Sequence, residues 1–167
     1  MRQQAISLET EDDLDQFLKN NIKCLVVIDV HPSWCGRCKA LIPIMEELMI
    51  QYDRSEDRLG FASLEIRLAS KLYSSISLPS SGVFTSKVDT ASESNNRLYK
   101  TPMAKESLHS LLVERKSCCP LFLVMKSNQL IGIIEGADAP TFQKFVHDHI
   151  PPIEDDVIPA NEDDLMT

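Results

Sequence analysis

The run CLVVIDV, residues 24–30, is apolar and largely β-branched except for Asp29 near its end. A strand with one wet face alternates apolar and polar residues. An unbroken run instead belongs to a strand covered on both faces, as in a sheet held between two layers of helices. Helical patterns stand on either side of it. Thr10, followed by Glu11, Asp12 and Asp13, offers a capping hydroxyl and places acids where the helix dipole favours them; Leu14, Phe17 and Leu18 then recur at helical spacing. Beyond the run, Cys35 opens a second helical pattern through Leu41, Ile44, Met45, Leu48 and Met49. Pro43 lies inside that pattern, where a proline is expected to kink a helix.

The remaining elements extend the same plan. AISLET precedes the first helix as a short strand, and LGFASLEI (59–66) reads as the next one. ESLHSLLVERK is helical, with Leu108, Leu111 and Leu112 on one face. LFLVMK and LIGIIEG flank SNQ as a hairpin with a short polar turn. DAPTFQKFVHDHI begins with Asp138 as a cap and Pro140 near the first turn, and turns Phe142, Phe145 and Val146 inward. This order predicts an α/β chain with a central mixed sheet flanked by helices. Residues 67–102 interrupt it: they are rich in Ser, Thr and Asn, lack sustained periodicity, and are too long for a plain loop. They are expected to be an insertion, ordered in part at most.

Charge narrows the function classes. The net charge is −8, but the tail 151–167 holds six acids and no base, so residues 1–150 carry 17 − 19 = −2. The expectation is one domain over 1–150 with a disordered acidic tail after it. No basic patch argues for nucleic acid. The longest apolar run, CLVVI, is far short of a membrane span. MRQQAISLETEDDLDQF has no apolar signal region, and five cysteines without one suggest a reducing, cytoplasmic setting.

In that setting Cys35 and Cys38, two residues apart after the apolar run, could be half a zinc site, a redox pair or an accident of composition. Zinc needs a second ligand pair. Cys118 and Cys119 are adjacent, and His31, His109, His147 and His149 show no ligand spacing, so no metal is expected. Cys24, within the apolar run, reads as a small buried hydrophobe.

IDVHPSWCGRCK resembles the active-site segment of the thioredoxin family: a buried Asp and, six residues on, the first Cys of Trp-Cys-Gly-x-Cys-Lys. Asp29, Trp34, Cys35, Gly36, Cys38, Lys39 and Pro43 all fall in that register. CPLFLVMKSNQLIGIIEGAD resembles the family's cis-proline strand, hairpin and following glycine, which makes Pro120 the cis-proline and Gly136 the glycine of the substrate groove. Pro79 is a rival for that place, but the residues after it make a poor strand and hairpin, whereas Pro120 leads into the complete β-β-α ending.

The resemblance implies the thioredoxin fold, with a long insertion before the cis-proline strand, and thiol–disulfide exchange on protein disulfides. It needs no cofactor beyond a redox-active Cys35–Cys38 disulfide, recharged by thioredoxin reductase or another dithiol donor. A helix N-terminus at Cys35 would lower its thiol pKa and make it the nucleophile. Cys38 would resolve the mixed disulfide, and Asp29, its pKa raised by burial, would take the Cys38 proton. Trp34, Gly36, Arg37, Cys119, Pro120 and Gly136 would form the surface against which substrate lies. Four positions depart from the family pattern. Arg37 replaces a proline and should favour the thiolate; Ser63 stands near the place of a buried lysine; His31 replaces an aromatic; Cys119 adds a third thiol beside the pair. CCPLFLVMKSNQLIGIIEGADAPTFQKFV is further similar to the thioredoxin domains of ciliary proteins, namely dynein light chains and nucleoside diphosphate kinase fusions. That likeness implies an axonemal setting, with dynein or microtubules as partners, and a scaffold or redox-sensor role as the alternative to turnover.

Overall fold

The computed structural model describes residues 5–86 and 99–153. Its elements in chain order are β1 (Ile6–Leu8), α1 (Glu11–Asn20), β2 (Leu25–His31), α2 (Ile42–Gln51), β3 (Leu59–Glu65), α3 (Ala69–Ser75), β4 (Val83–Ser86), β5 (Tyr99–Thr101), α4 (Lys105–Val113), β6 (Leu121–Lys126), β7 (Gln129–Glu135) and α5 (Ala139–His149). One seven-stranded sheet has the order β1-β3-β2-β6-β7-β4-β5. β2 lies near its middle, parallel to β3 and antiparallel to β6.

The two-sided burial expected of β2 is present: Leu25 to Val30 are all buried. Because strand side chains alternate, the run divides between two cores. Val26, Ile28 and Val30 pack with Leu14, Phe17 and Leu18 of α1, Leu72 of α3, and Leu108 and Leu112 of α4. Leu25 and Val27 pack on the other side with Met45 and Leu48 of α2, and with Phe142, Phe145 and Val146 of α5. Each of these side chains, fully buried, contributes about 1.5–3 kcal/mol relative to exposure. Alternation therefore places Asp29 on the side of the sheet that α2 and α5 cover.

Local signals set the helix ends. Thr10 Oγ1 accepts the Asp13 N–H at 3.1 Å, and Asp13 Oδ2 accepts the Thr10 N–H at 2.9 Å, a reciprocal capping box. Asp138 caps α5 by accepting the Thr141 N–H at 3.2 Å. The second helix departs from expectation. It begins at Ile42, and Pro43 sits in its first turn, where a missing N–H costs nothing and no kink results.

The Ser-rich segment 67–102 contributes more structure than its composition suggests. α3 packs its Ala69 and Leu72 into the core beneath α1 and α4. β4 runs parallel to β7, with Phe84 opposite Gly132, and β5 pairs antiparallel with β4, so the sheet grows by two strands beyond β7. β4 is hard to see in the sequence because VFTS is short and half covered, with only Val83 and Ser86 buried. Phe84 sets its ring edge-on to Phe145 at 5.9 Å, and the Lys100 ammonium lies 5.4 Å from the centre of the Phe84 ring. Residues 87–98 and the acidic stretch 154–167 lie outside the described residues.

Candidate functional site

β2 ends its buried run beside Asp29, and the chain then leaves the sheet through His31 and Pro32 into turns that carry Trp34 to Leu41. The Cys35 and Gly36 amides both donate to the Pro32 carbonyl, at 3.2 and 3.1 Å, which curls this loop over the strand end. Gly36 has φ +73°, a left-handed conformation for which glycine carries no side-chain penalty. The helix starts only at Ile42. Cys35 therefore lies outside the first turn of α2, and the expected contact with the helix N-terminus is absent.

Asp29 is what the loop is built on. The residue is 4% exposed, and its Oδ2 accepts the Cys38 backbone N–H at 2.6 Å. A bond that short to an ionised acceptor is among the stronger kinds in a protein. Burial pushes the Asp29 carboxyl above the usual carboxylate range; the Cys38 N–H and the neighbouring His31 and Arg37 side chains pull it back in part. Across the sheet Asp29 registers with Ser63 on β3 and Phe122 on β6. The neighbouring β3 position thus supplies a buried hydroxyl residue and no cation.

The second wall comes from the segment between α4 and β6. Pro120 precedes β6, and its carbonyl accepts the Gly136 N–H at 2.8 Å; Gly136, at φ +89°, turns the chain out of β7. Pro120 and Gly136 are thus joined in space. The expected cis bond is absent: every described peptide bond, including that before Pro120, is trans. The residues before Pro120 reach the Cys35 loop. Cys35 is joined by a disulfide to Cys118, with Cα atoms 5.9 Å apart, while Cys38 and Cys119 carry free thiols. Cys119 is exposed, and its Sγ lies 3.8 Å from the Pro120 carbonyl oxygen.

Most candidate residues thus meet in one place. Trp34, 69% exposed, stands beside Cys35 on the surface, and Arg37 is exposed between the two cysteines. Cys24 is buried, as its place in the run suggests; its Sγ contacts the Asp57 carbonyl at 3.3 Å, and burial raises its thiol pKa. No cluster of His, Cys, Asp and Glu fit to hold a metal occurs among the described residues. Two residues of the site escape a reading of the sequence. Cys118 weighs there only against zinc, although its adjacency to Cys119 and Pro120 puts it equally near the pair. Arg115, in a charged stretch that looks solvated, has a side chain only 7% exposed; it donates to the Cys119 carbonyl at 2.6 Å and lies 3.9 Å from Glu135. Among the described residues no helix is long and apolar enough to cross a membrane.

The thioredoxin family model matches residues 5–112. Thioredoxin from Staphylococcus epidermidis is 32% identical over 80 residues, which are 48% of this chain and 74% of that protein. Thioredoxin domain-containing protein 6 is 23% identical over 141 residues in Xenopus laevis and over 145 in Homo sapiens. Those matches take in 84% and 87% of this chain but only 16% and 31% of the relatives' own length. Among solved structures, thioredoxin NaTrxh from Nicotiana alata superposes with a TM-score of 0.51 at 16% identity, covering 90% of this chain and 96% of its own. The family match spans the Asp29 strand and the Cys35–Cys38 loop, and the chain belongs to the thioredoxin family.

Proposed function

We propose that the chain is a thiol–disulfide oxidoreductase acting on protein disulfides, with Cys35 as the attacking sulfur, Cys38 as the resolving one and Asp29 as the base. The observation that carries this reading is the buried carboxylate of Asp29 bound at 2.6 Å to the Cys38 amide, in the same loop as an exposed Cys35 that already takes part in a disulfide. A carboxyl with a raised pKa beside a thiol can accept the thiol proton and release it later. The Cys35 thiolate attacks a substrate disulfide and forms a mixed disulfide; Cys38 then displaces the substrate, leaving a Cys35–Cys38 disulfide. Two electrons and two protons pass from the dithiol to the substrate. Thioredoxin reductase or another dithiol donor returns them.

Trp34, Gly36 and Arg37 on one side, with Cys119, Pro120 and Gly136 on the other, frame the surface on which an extended substrate would lie. Reduction of insulin with dithiothreitol as donor tests the reading. Activity should be lost in Cys35→Ser and retained in Cys119→Ser; an intact chain no faster than Cys35→Ser would refute it. The axonemal setting, with dynein or microtubules as partners, rests on the resemblance of residues 118–146 to ciliary thioredoxin domains. Localisation of the tagged chain in ciliated cells tests it, and exclusion from the axoneme would remove it.

A further inference from the structure

Cys118 occupies the place in which a substrate sulfur would stand, bonded to Cys35. Its position is built rather than incidental. The segment that carries it is pinned from two sides: the buried Arg115 guanidinium holds the Cys119 carbonyl at 2.6 Å, and the Gly136 N–H holds the Pro120 carbonyl at 2.8 Å. The resulting Cα separation of 5.9 Å lies within the range that a disulfide spans without backbone movement. Cys119, one residue on, does not substitute for it: its sulfur lies against the Pro120 carbonyl and is free. Cys118 is also exposed, so its thiol can exchange with what arrives at Cys35. Two sulfurs held at bonding distance by a folded chain react as an intramolecular pair, with effective concentrations far above those of free thiols.

We propose that Cys118 is a second resolving thiol, competing with Cys38 for the mixed disulfide formed at Cys35. The proposal rests on the nucleophilic role of Cys35 given above and extends it. In the first step the Cys35 thiolate attacks a substrate disulfide, forming a Cys35–substrate bond and expelling one substrate thiolate. In the second the Cys118 thiolate attacks Cys35 Sγ, the bond to substrate breaks, the second substrate thiolate leaves and takes up a proton, and Cys35–Cys118 remains. The substrate disulfide gains the two electrons that the two protein thiols lose. The Cys38 thiolate can then attack Cys35 Sγ, forming Cys35–Cys38 and releasing Cys118 as a thiol with no net redox change. Resolution through Cys118 thus leaves a disulfide that ties the Cys35 loop to the segment before Pro120 and covers the substrate surface until exchange or reduction reopens it.

The test uses the fully reduced chain, oxidised glutathione as the probe disulfide, and intact-mass and tryptic-fragment analysis after acid quenching. In Cys38→Ser, resolution by Cys118 should expel glutathione and leave a cross-link between the peptide ending at Arg37 and the peptide beginning at Ser117. In Cys38→Ser/Cys118→Ser, glutathione should instead stay on Cys35. The cross-link should persist in Cys38→Ser/Cys119→Ser, which separates the two adjacent cysteines. Retention of glutathione on Cys35 in Cys38→Ser, equal to that in the Cys118→Ser double variant, would overturn the role of Cys118 while leaving Cys35 as nucleophile. Absence of glutathione from Cys35 even in the double variant would overturn the nucleophile itself, and the role of Cys118 with it.

Discussion

Replacing Asp29 with Asn should stabilise the reduced chain at neutral pH, and the size of the gain should depend on pH in a defined direction. Asp29 is 4% exposed, its carboxyl pKa is raised chiefly by burial, and its Oδ2 accepts the Cys38 amide. A raised folded-state pKa means that the native chain holds the proton over a pH window in which the unfolded chain has released it. Stability therefore falls as pH rises from the ordinary carboxylate value through the raised one, and stays lowered above it. Asparagine has no such charge, yet its side-chain carbonyl can still accept the Cys38 N–H. Its advantage over Asp should be smallest in acid, grow through that window and then level off. Asp29→Ala escapes the same charge penalty but leaves the half-buried Cys38 N–H without its acceptor, at a cost of about 1 kcal/mol or more. The gap between the Asn and Ala variants thus reads the hydrogen bond together with the packing of the buried side chain. Urea unfolding in dithiothreitol, at a series of pH values from about 4 to about 8, reads both quantities. An Asn variant that loses ground to the native chain as pH rises would refute the reasoning, as would an Ala variant equal to Asn throughout. Loss of the base should also slow the resolving step roughly 10²–10⁴-fold in Asp29→Asn.

Other consequences rest on particular residues. A Cβ at Gly132 would meet the buried Phe145 ring, lying 2.9 Å from Cε1 and closer still to Cζ, so Gly132→Ala should cost about 1–3 kcal/mol in denaturant unfolding. Phe142, fully buried against Phe61 and Phe122, should cost about 3–5 kcal/mol on truncation to Ala, read in the same way. Cys24, 5% exposed with a raised thiol pKa, should resist iodoacetamide in the native chain and react on unfolding in urea; equal labelling in both would contradict its burial.

The sheet is legible in the sequence where one physical signal dominates. The β-branched run at β2, the capping box at Thr10 and the cap at Asp138 each mark an element by chemistry local to a few residues, and each element is there. The start of α2 is misleading because Ile44, Met45 and Leu48 set a helical period that extrapolates backward without resistance. What stops it is tertiary: Asp29 draws the Cys38 N–H to itself, and the Pro32 carbonyl takes the amides of Cys35 and Gly36. β4 escapes notice because its sheet neighbour β7 lies far along the chain and VFTS alone has little apolar pattern, and β5 is placed only by its pairing with β4. The site is legible from Asp29 to Cys38, where spacing and residue type coincide. Cys118 and Arg115 are not, since what brings them to Cys35 is the packing of the segment before β6 against Glu135 and Gly136, which no spacing in the chain records.

The central claim is that Cys35 is the reactive sulfur of this chain, and a competition for limiting alkylating agent tests it most directly. The reduced native protein would be treated with substoichiometric iodoacetamide near neutral pH, quenched, and mapped by tryptic peptides. The account predicts that Cys35 is labelled first, ahead of Cys118 and Cys119, although all three are exposed. Labelling of Cys35 at or below the rate of Cys119 would contradict it, because exposure alone would then explain the reactivity of every thiol at the site.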